Sequence, residues 1–364
     1  MAAARATVEA ARARLRQAGV RPNPELSVEV ENFAGSGPYS GTNGTETTVA
    51  INQRLDLGGR RSARVAQGQA EFAAAELRLV IARADLARQV RDQFATAVAA
   101  RDRLRLATEN RLRADELARV AGALVDSGRE PPLRGLRARA AAAQAEAALT
   151  AAQAEDDTSR RTLASLFGVD TPPPSVGGTA IFTPDQTSDP TQTLDVRLAE
   201  ADRDIAEAAL RNQLAARRLD PAVGLGVRRI EETRDQALVA GLSLPLPFFD
   251  RNQGNIAAAR AEVTAAEARR TGALATATAG VRNAAAGFRA AQARVEALER
   301  AAIPQASEAM RLARLSYQAG RLSLVELLDA QGAFAAAQTE LIEARLARAQ
   351  AAAALDSAAA RTKD

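Results

Sequence analysis

The sequence predicts a mainly α-helical fold with a small β part, in which a strand hairpin and a long coiled-coil helical hairpin occur twice. The first observation is an internal repeat. Residues 49–150 and 240–342 share one pattern: Ala70-Glu71 and Glu76 recur as Ala261-Glu262 and Glu267, Gly128-Arg129 as Gly320-Arg321, and Leu136 as Leu328. So long a repeat is too large for a stacked solenoid unit and reads as a duplicated half-molecule. The second is heptad spacing: Phe72, Leu79 and Leu86 lie seven apart, then Val90 and Phe94 follow at four-residue steps. The third is alternation of apolar and polar residues in short stretches before each long helix.

The elements follow in order. Residues 2–19 read as a helix, stopped by Gly19, Pro22 and Pro24. Leu26, Val28 and Val30 alternate with polar residues in a strand, and a Gly/Ser/Thr/Asn loop spans 34–46. Val49, Ile51, Gln53, Leu55 and Leu57 line one face of a second strand, ended by Gly58-Gly59. From 60 to 124 there is no Pro and little Gly, so one helix of roughly 90 Å is expected at 1.5 Å per residue. Asp126-Ser127-Gly128 with Pro131-Pro132 turns the chain, and a helix returns over 133–166. The Pro/Gly/Thr stretch 172–193 is a linker. The plan then restarts with a helix over 194–219, a strand carrying Val223, Leu225 and Val227, and a polar turn. A strand with Leu238, Ala240, Leu242, Leu244 and Leu246 on one face follows. A long helix runs over 252–315, where Pro304 is expected to kink it. After the Gly320 turn a last helix covers 323–360. The expected division is a first repeat, 1–171 (β-hairpin 25–57, helical hairpin 60–166), the linker, and a second repeat, 194–364 (β-hairpin 222–248, helical hairpin 252–360).

Composition excludes whole classes of function. Cysteine and histidine are both absent, which removes disulfides, zinc fingers, thiol nucleophiles and imidazole bases. No acids have the spacing of a calcium loop, so neither metal nor cofactor is expected, and an enzyme is disfavoured. Gly58-Gly59 and Gly177-Gly178 lack the rest of a phosphate-loop signature. Net charge is only +4, with both signs interspersed and no basic cluster beside aromatics, so no nucleic-acid partner is expected. Aromatics are 3% and Trp is absent, while Ala dominates long stretches, which suits helices packed closely side by side. No apolar run is long enough for a membrane-spanning helix, and no signal peptide is visible after Met1.

Four strands are too few to stand alone with open edges. A lipid-spanning barrel needs at least about eight, so several chains would share one, and three copies would give twelve. Long helices would continue from that barrel as a tube of helical hairpins around a wet lumen. The alternative is a soluble coiled-coil scaffold with two small strand hairpins and no transport activity. A periplasmic adaptor is a third reading, disfavoured because adaptors surround a single helical hairpin with β-domains.

At these residues the chain resembles the TolC family of trimeric outer-membrane efflux ducts. The resemblance covers nearly the whole chain. It rests on Arg21-Pro22-Asn23-Pro24-Glu25-Leu26-Ser27, the two strand-to-helix joins, Pro304-Gln305 and the tip segment 317–331 (YQAGRLSLVELLDAQ). The stretches ELSVEVENFAGSG and ETTVAINQRLDLGGRRSARVA are most similar to the cobalt-zinc-cadmium type of outer-membrane factor, which serves heavy-metal efflux pumps. The resemblance implies a homotrimer with a twelve-strand barrel in outer-membrane lipid and a helical tunnel through the periplasm. It also implies a periplasmic adaptor (membrane fusion) protein and an inner-membrane pump of the resistance-nodulation-division class docked at the tip. The chain would be a passive, gated duct exporting divalent heavy-metal cations. Two departures stand out. Family members begin with a signal peptide, often ending in a lipid-modified Cys, and a complete first helix. Here the first repeat starts inside the region matching Arg197 onward, so a misplaced start or a trimmed chain is expected. Tyr39 and Tyr317 are the only tyrosines, leaving Phe33 and Tyr39 as candidates for an interfacial aromatic girdle.

The candidate site residues surround the two hairpin turns. Glu326 and Asp329 lie three apart on one helical face. The resemblance places them at the periplasmic constriction, where three chains would form a ring of carboxylates; the alternative is a solvated face. The resemblance gives Tyr317 a part in contacts that hold the tip closed, against simple packing. Arg321, adjacent to that motif, would bond Asp126 or Glu130 across the tip, or else stay solvated. Gly128 and Gly320 supply backbone freedom to the turns, and with Asp126 mark where an adaptor would make contact.

Overall fold

The computed structural model describes residues 1–184 and 189–360, with only the backbone of Pro38. Residues 185–188 of the expected linker and 361–364 of the expected second repeat lie outside the described residues. Among the described residues the order is α1 (Ala2–Ala18), β1 (Glu25–Glu31), β2 (Glu46–Arg54), α2 (Arg60–Asp126), α3 (Pro132–Ser165), α4 (Leu194–Ala216), β3 (Ala222–Ile230), β4 (Gln236–Ser243), α5 (Gln253–Ala297), α6 (Ile303–Gln318) and α7 (Leu324–Ala358). By compactness the chain divides into two units that each draw on both expected repeats: Met1–Ala82 with Leu194–Ala275, and Arg83–Thr193 with Thr276–Asp364.

The first unit holds one antiparallel sheet in the order β1-β2-β3-β4. Its register sorts side chains by polarity. One face carries the rows Val28–Val49–Val227–Leu238 and Leu26–Ile51–Leu225–Ala240, then Val223 beside Leu242. The other carries Glu25, Glu29, Glu31, Glu46, Thr48, Asn52 and Arg228. On that polar face Arg228 bonds Glu46 at 2.8 Å, Glu31 at 2.9 Å and the Thr48 hydroxyl at 2.9 Å. The same face is crowded: a Cβ at Gly226 would lie 2.6 Å from the Ala50 Cβ, so only glycine fits there.

Two strands stop earlier than alternation suggests. β4 ends at Ser243 rather than Leu246, because Pro245 and Pro247 have no N–H to give a ladder. β2 ends at Arg54, opposite Ala222; beyond it the Leu55 N–H still donates to the Pro221 carbonyl, at 2.8 Å.

Helices of the first unit are tied to the sheet's base through arginine. Arg60 donates to the carbonyls of Ala216 and Arg218, at 2.7 and 2.8 Å, and Arg61 to that of Gly19, at 2.6 Å. Val8 and Ala11 of α1 pack on Phe72, Ala75 and Leu79 of α2, with Arg12 over the Phe72 ring. Three of the five expected heptad and step positions therefore have partners of different kinds: Phe72 and Leu79 face α1, and Phe94 packs in the second unit.

In the second unit the helices meet through small side chains. Ala97, Ala100 and Ala352 are completely buried, which allows close backbone approach. Residues 176–178 of the linker are strapped down. Val176 is buried among Ala97, Val98 and Leu163, and Arg101 donates to the carbonyls of Val176 and Gly178, at 2.8 and 3.0 Å. At Pro304 the helix does not end. The Ile303 N–H reaches back to the Leu298 carbonyl, and Leu298–Ala302 forms a π turn between α5 and α6. Proline has no N–H for the normal ladder, so the wider turn absorbs the fault.

Candidate functional site

The two hairpin turns of the second unit share one backbone solution. In the first, the Arg129 N–H donates to the Leu124 carbonyl and the Gly128 N–H to the Val125 carbonyl, both at 2.9 Å. In the second, the Arg321 N–H donates to Ser316 at 2.8 Å and the Gly320 N–H to Tyr317 at 2.9 Å. Both are Schellman ends, with glycine in the left-handed region: φ is +70° at Gly128 and +69° at Gly320. Nothing lies within 4 Å of a Cβ built at either, so backbone conformation and not crowding requires glycine there. Asp126, Gly128, Gly320 and Arg321 are all exposed.

Beneath the turns is a small apolar core. Leu117 and Ala121 of α2, Ala138 of α3, and Leu324 and Leu327 of α7 are buried together. Tyr317 is half-buried against them. Burial pushes its phenol up, the Glu130 carboxylate pushes it further, and Arg134 partly offsets this. Glu130 and Arg134 are themselves an ion pair. Tyr317 thus packs against this core and has the charged Glu130 and Arg134 as neighbours. Among the described residues no ion pair joins Arg321 to Asp126 or Glu130; Glu130 is engaged by Arg134 instead.

Glu326 has a local task that the sequence reading missed. Its carboxylate accepts from the Ser323 N–H at 2.9 Å and the Ser323 hydroxyl at 2.8 Å, while the Ser323 Oγ accepts from the Glu326 N–H. This is a capping box at the start of α7. The Ser323 N–H, then its hydroxyl, hold the Glu326 carboxyl below the usual carboxylate range. The signal was present as Ser-Leu-Val-Glu at 323–326. Glu326 and Asp329 are both exposed, on the side of α7 away from Leu324 and Leu327. Both acids thus remain available to solvent and to a partner.

A groove of about 310 Å³ lies beside Tyr317, lined by Leu112, Glu116, Met310 and Arg314 among others. A second, of about 520 Å³, is lined mainly by Ala, Gln144, Met310 and Phe334. Neither gathers acids, and among the described residues no group of three or more metal-binding side chains occurs.

Comparison with known proteins agrees with this architecture. The family model described as outer membrane efflux protein matches residues 1–169 and 191–361. The cobalt-zinc-cadmium resistance protein CzcC of Cupriavidus metallidurans is 28% identical, over 86% of this chain and 75% of its own length. The nickel and cobalt resistance protein CnrC of the same organism is 35% identical, over 71% of this chain and 63% of its own. Among solved structures, the outer membrane protein VceC of Vibrio cholerae superposes with a TM-score of 0.81 at 22% identity, over 98% of this chain and 92% of that one.

Proposed function

From the premise that this chain belongs to the outer membrane efflux protein family, whose members are outer-membrane channels and not enzymes, we propose that it is a passive, gated duct. The observation that carries the reading is the polarity of the sheet. Leu225 is 72% exposed and Leu238 90%, whereas Glu46 and Arg228 on the opposite face are partly covered. In water that arrangement is costly, since exposed apolar area costs about 25 cal/mol per Å². In a lipid-spanning barrel it is the required one, with apolar side chains outward and polar ones on the lumen.

Edges β1 and β4 carry unpaired backbone groups that must find partners in a membrane. Three copies joined edge to edge close a twelve-strand barrel and leave none. The duplicated halves 1–171 and 194–364 fit this arrangement, supported by the paired family matches and the shared turn geometry. The tips are the docking end: Asp126, Gly128 and Gly320 would meet a periplasmic adaptor, with an inner-membrane pump supplying energy. Glu326, Asp329, Tyr317 and Arg321 would form the gate. Three copies of the exposed Glu326–Asp329 pair make a ring that attracts cations. Divalent heavy-metal cations are the cargo, moved from periplasm or pump to the exterior, a reading supported by the metals in the names of CzcC and CnrC.

The test is to express the chain with an export signal, extract it from the outer membrane in detergent and record it in planar bilayers. A trimer with cation-preferring conductance fits the proposal. A folded, exported protein that stays out of the membrane and forms no pore would refute it.

A further inference from the structure

The apolar rows of the sheet are too short for the membrane they face. From Val223 to Val227 the lipid-side positions of β3 cover about 14 Å at 3.4 Å per residue, and roughly 11 Å along the normal after a tilt of about 40°. An outer-membrane barrel needs an apolar band of about 25 Å. Past β3's far end the next row keeps one apolar residue, Val30 of β1, beside Thr47, Arg229 and Gln236, so the band gains little there. The missing height has to come from the end nearer the helices.

Side chains there are arranged to supply it. Leu244, Leu246 and Phe248 continue, beyond the end of β4, the alternation of Leu238, Ala240 and Leu242. All three are exposed, and Phe249 is 93% exposed. Leu57 continues the series of Val49 and Ile51 in the same way and is exposed too. Pro245 and Pro247 remove N–H groups that would otherwise lack a ladder partner in lipid. The Phe248 N–H is satisfied locally by the Leu246 carbonyl, at 3.0 Å. Polarity then switches at once: Asp250, Arg251 and Asn252 follow, and the Asp250 carboxylate accepts from the Asn252 N–H at 2.8 Å. An apolar stretch ending in two aromatics at a sharp polar boundary is the form of a membrane-interface girdle.

We propose that residues 244–249 complete the lipid-facing surface on the helix side of the sheet, with Phe248 and Phe249 seated at the headgroup boundary of the periplasmic leaflet. The inference rests on the barrel reading above and adds the level at which that barrel meets the leaflet. It also adds Phe248 and Phe249 at the helix-side interface, opposite the end of the sheet where Phe33 and Tyr39 lie.

Because the chain contains no tryptophan, single reporters are unambiguous. Phe249→Trp, Phe248→Trp, Val223→Trp and Leu312→Trp would each be reconstituted in phosphatidylcholine vesicles brominated either near the headgroup or near the acyl ends. Val223 lies on the apolar sheet face, two rows in from Val227; Leu312 is an exposed residue of α6. The expected result is several-fold stronger quenching of Phe249→Trp and Phe248→Trp than of Leu312→Trp, greater for bromine near the headgroup. Val223→Trp is quenched more by the deep bromine. Quenching of both aromatic reporters by aqueous acrylamide alone would place the segment in water and overturn the inference, with Val223→Trp still showing the barrel in lipid. Protection from both quenchers would mean that a second copy covers it, which also overturns it. A Val223→Trp reporter untouched by lipid bromine would instead sink the barrel reading, and this inference with it.

Discussion

The sheet and the hairpin tips treat the same residue types in opposite ways. In the tip, Leu324 and Leu327 are 1% and 2% exposed, and the acids Glu326 and Asp329 face out. In the sheet, the leucines and valines face out, while Arg228 bonds both Glu31 and Glu46 on the opposite face. The tip follows the rule for water. The sheet inverts it, as the proposed lipid-facing barrel requires. Under that proposal the two regions meet different environments, and substitutions of equal size have different consequences in each.

The largest effect is expected in the tip. Leu327→Ala removes a buried side chain beside Leu117, Ala121 and Tyr317, and a loss of about 2–5 kcal/mol is expected. Amide exchange in the first turns of α7 reads it as faster local opening. Leu225→Ala, on the exposed sheet face, leaves no internal cavity and costs much less. The next effect breaks the comparison if it fails. Leu225→Arg costs about 2–4 kcal/mol if the face lies near the bilayer midplane. If the face lies in water, the same change stays within about 0.5 kcal/mol. Denaturant unfolding of the protein in lipid bilayers separates the two, as does the yield in the outer membrane.

Smaller effects sharpen the account of the tip. Ser323→Ala removes the N-cap of α7 and is expected to cost about 1 kcal/mol, read by exchange of the same amides. Glu326→Gln separates two roles, because glutamine preserves the capping box while discarding the charge. Combined with Asp329→Asn, it is expected to keep α7 folded and to lower the cation preference of the pore. Unchanged selectivity would remove both acids from the gate. The cap also has a pH signature. The carboxyl of Glu326 sits below its usual range when folded, so its contribution is present above the ordinary glutamate value and is lost as pH falls through the lowered one. In the Gln variant that acid-induced loosening of the first turn of α7 is expected to disappear.

Much of the fold was legible because its signals are local. β1 follows directly from Leu26, Val28 and Val30, and α2 from the Pro-free stretch before Gly128. The resemblance carried the channel reading, and the family match bears it out. Features set by distant partners were not legible. The engagement of Glu130 by Arg134 depends on which side chains meet at the turn. The strapping of the linker by Arg101 depends on contacts more than seventy residues apart. Other features were written locally and weighed wrongly. Alternation through Leu244 and Leu246 suggested more strand, but the intervening prolines decide against it. Ser323 and Glu326 have capping-box spacing, so the local task of Glu326 is legible in the sequence beside its candidacy as a gate acid.

The central claim is that edges β1 and β4 of neighbouring copies join to close a barrel, and the chain's lack of cysteine allows a direct test. Ser27→Cys on β1 would be combined in turn with Val239→Cys and Gly241→Cys on β4, all on the polar face. Facing residues of an antiparallel pair lie about 4.5–5.5 Å apart, within disulfide reach. Oxidation in isolated outer membranes is expected to give, for one of the pairings, a covalent ladder that stops at three times the 38.2 kDa chain mass. Folded protein that stays monomeric across both pairings, or a ladder that continues without a stop, would contradict a closed three-chain barrel.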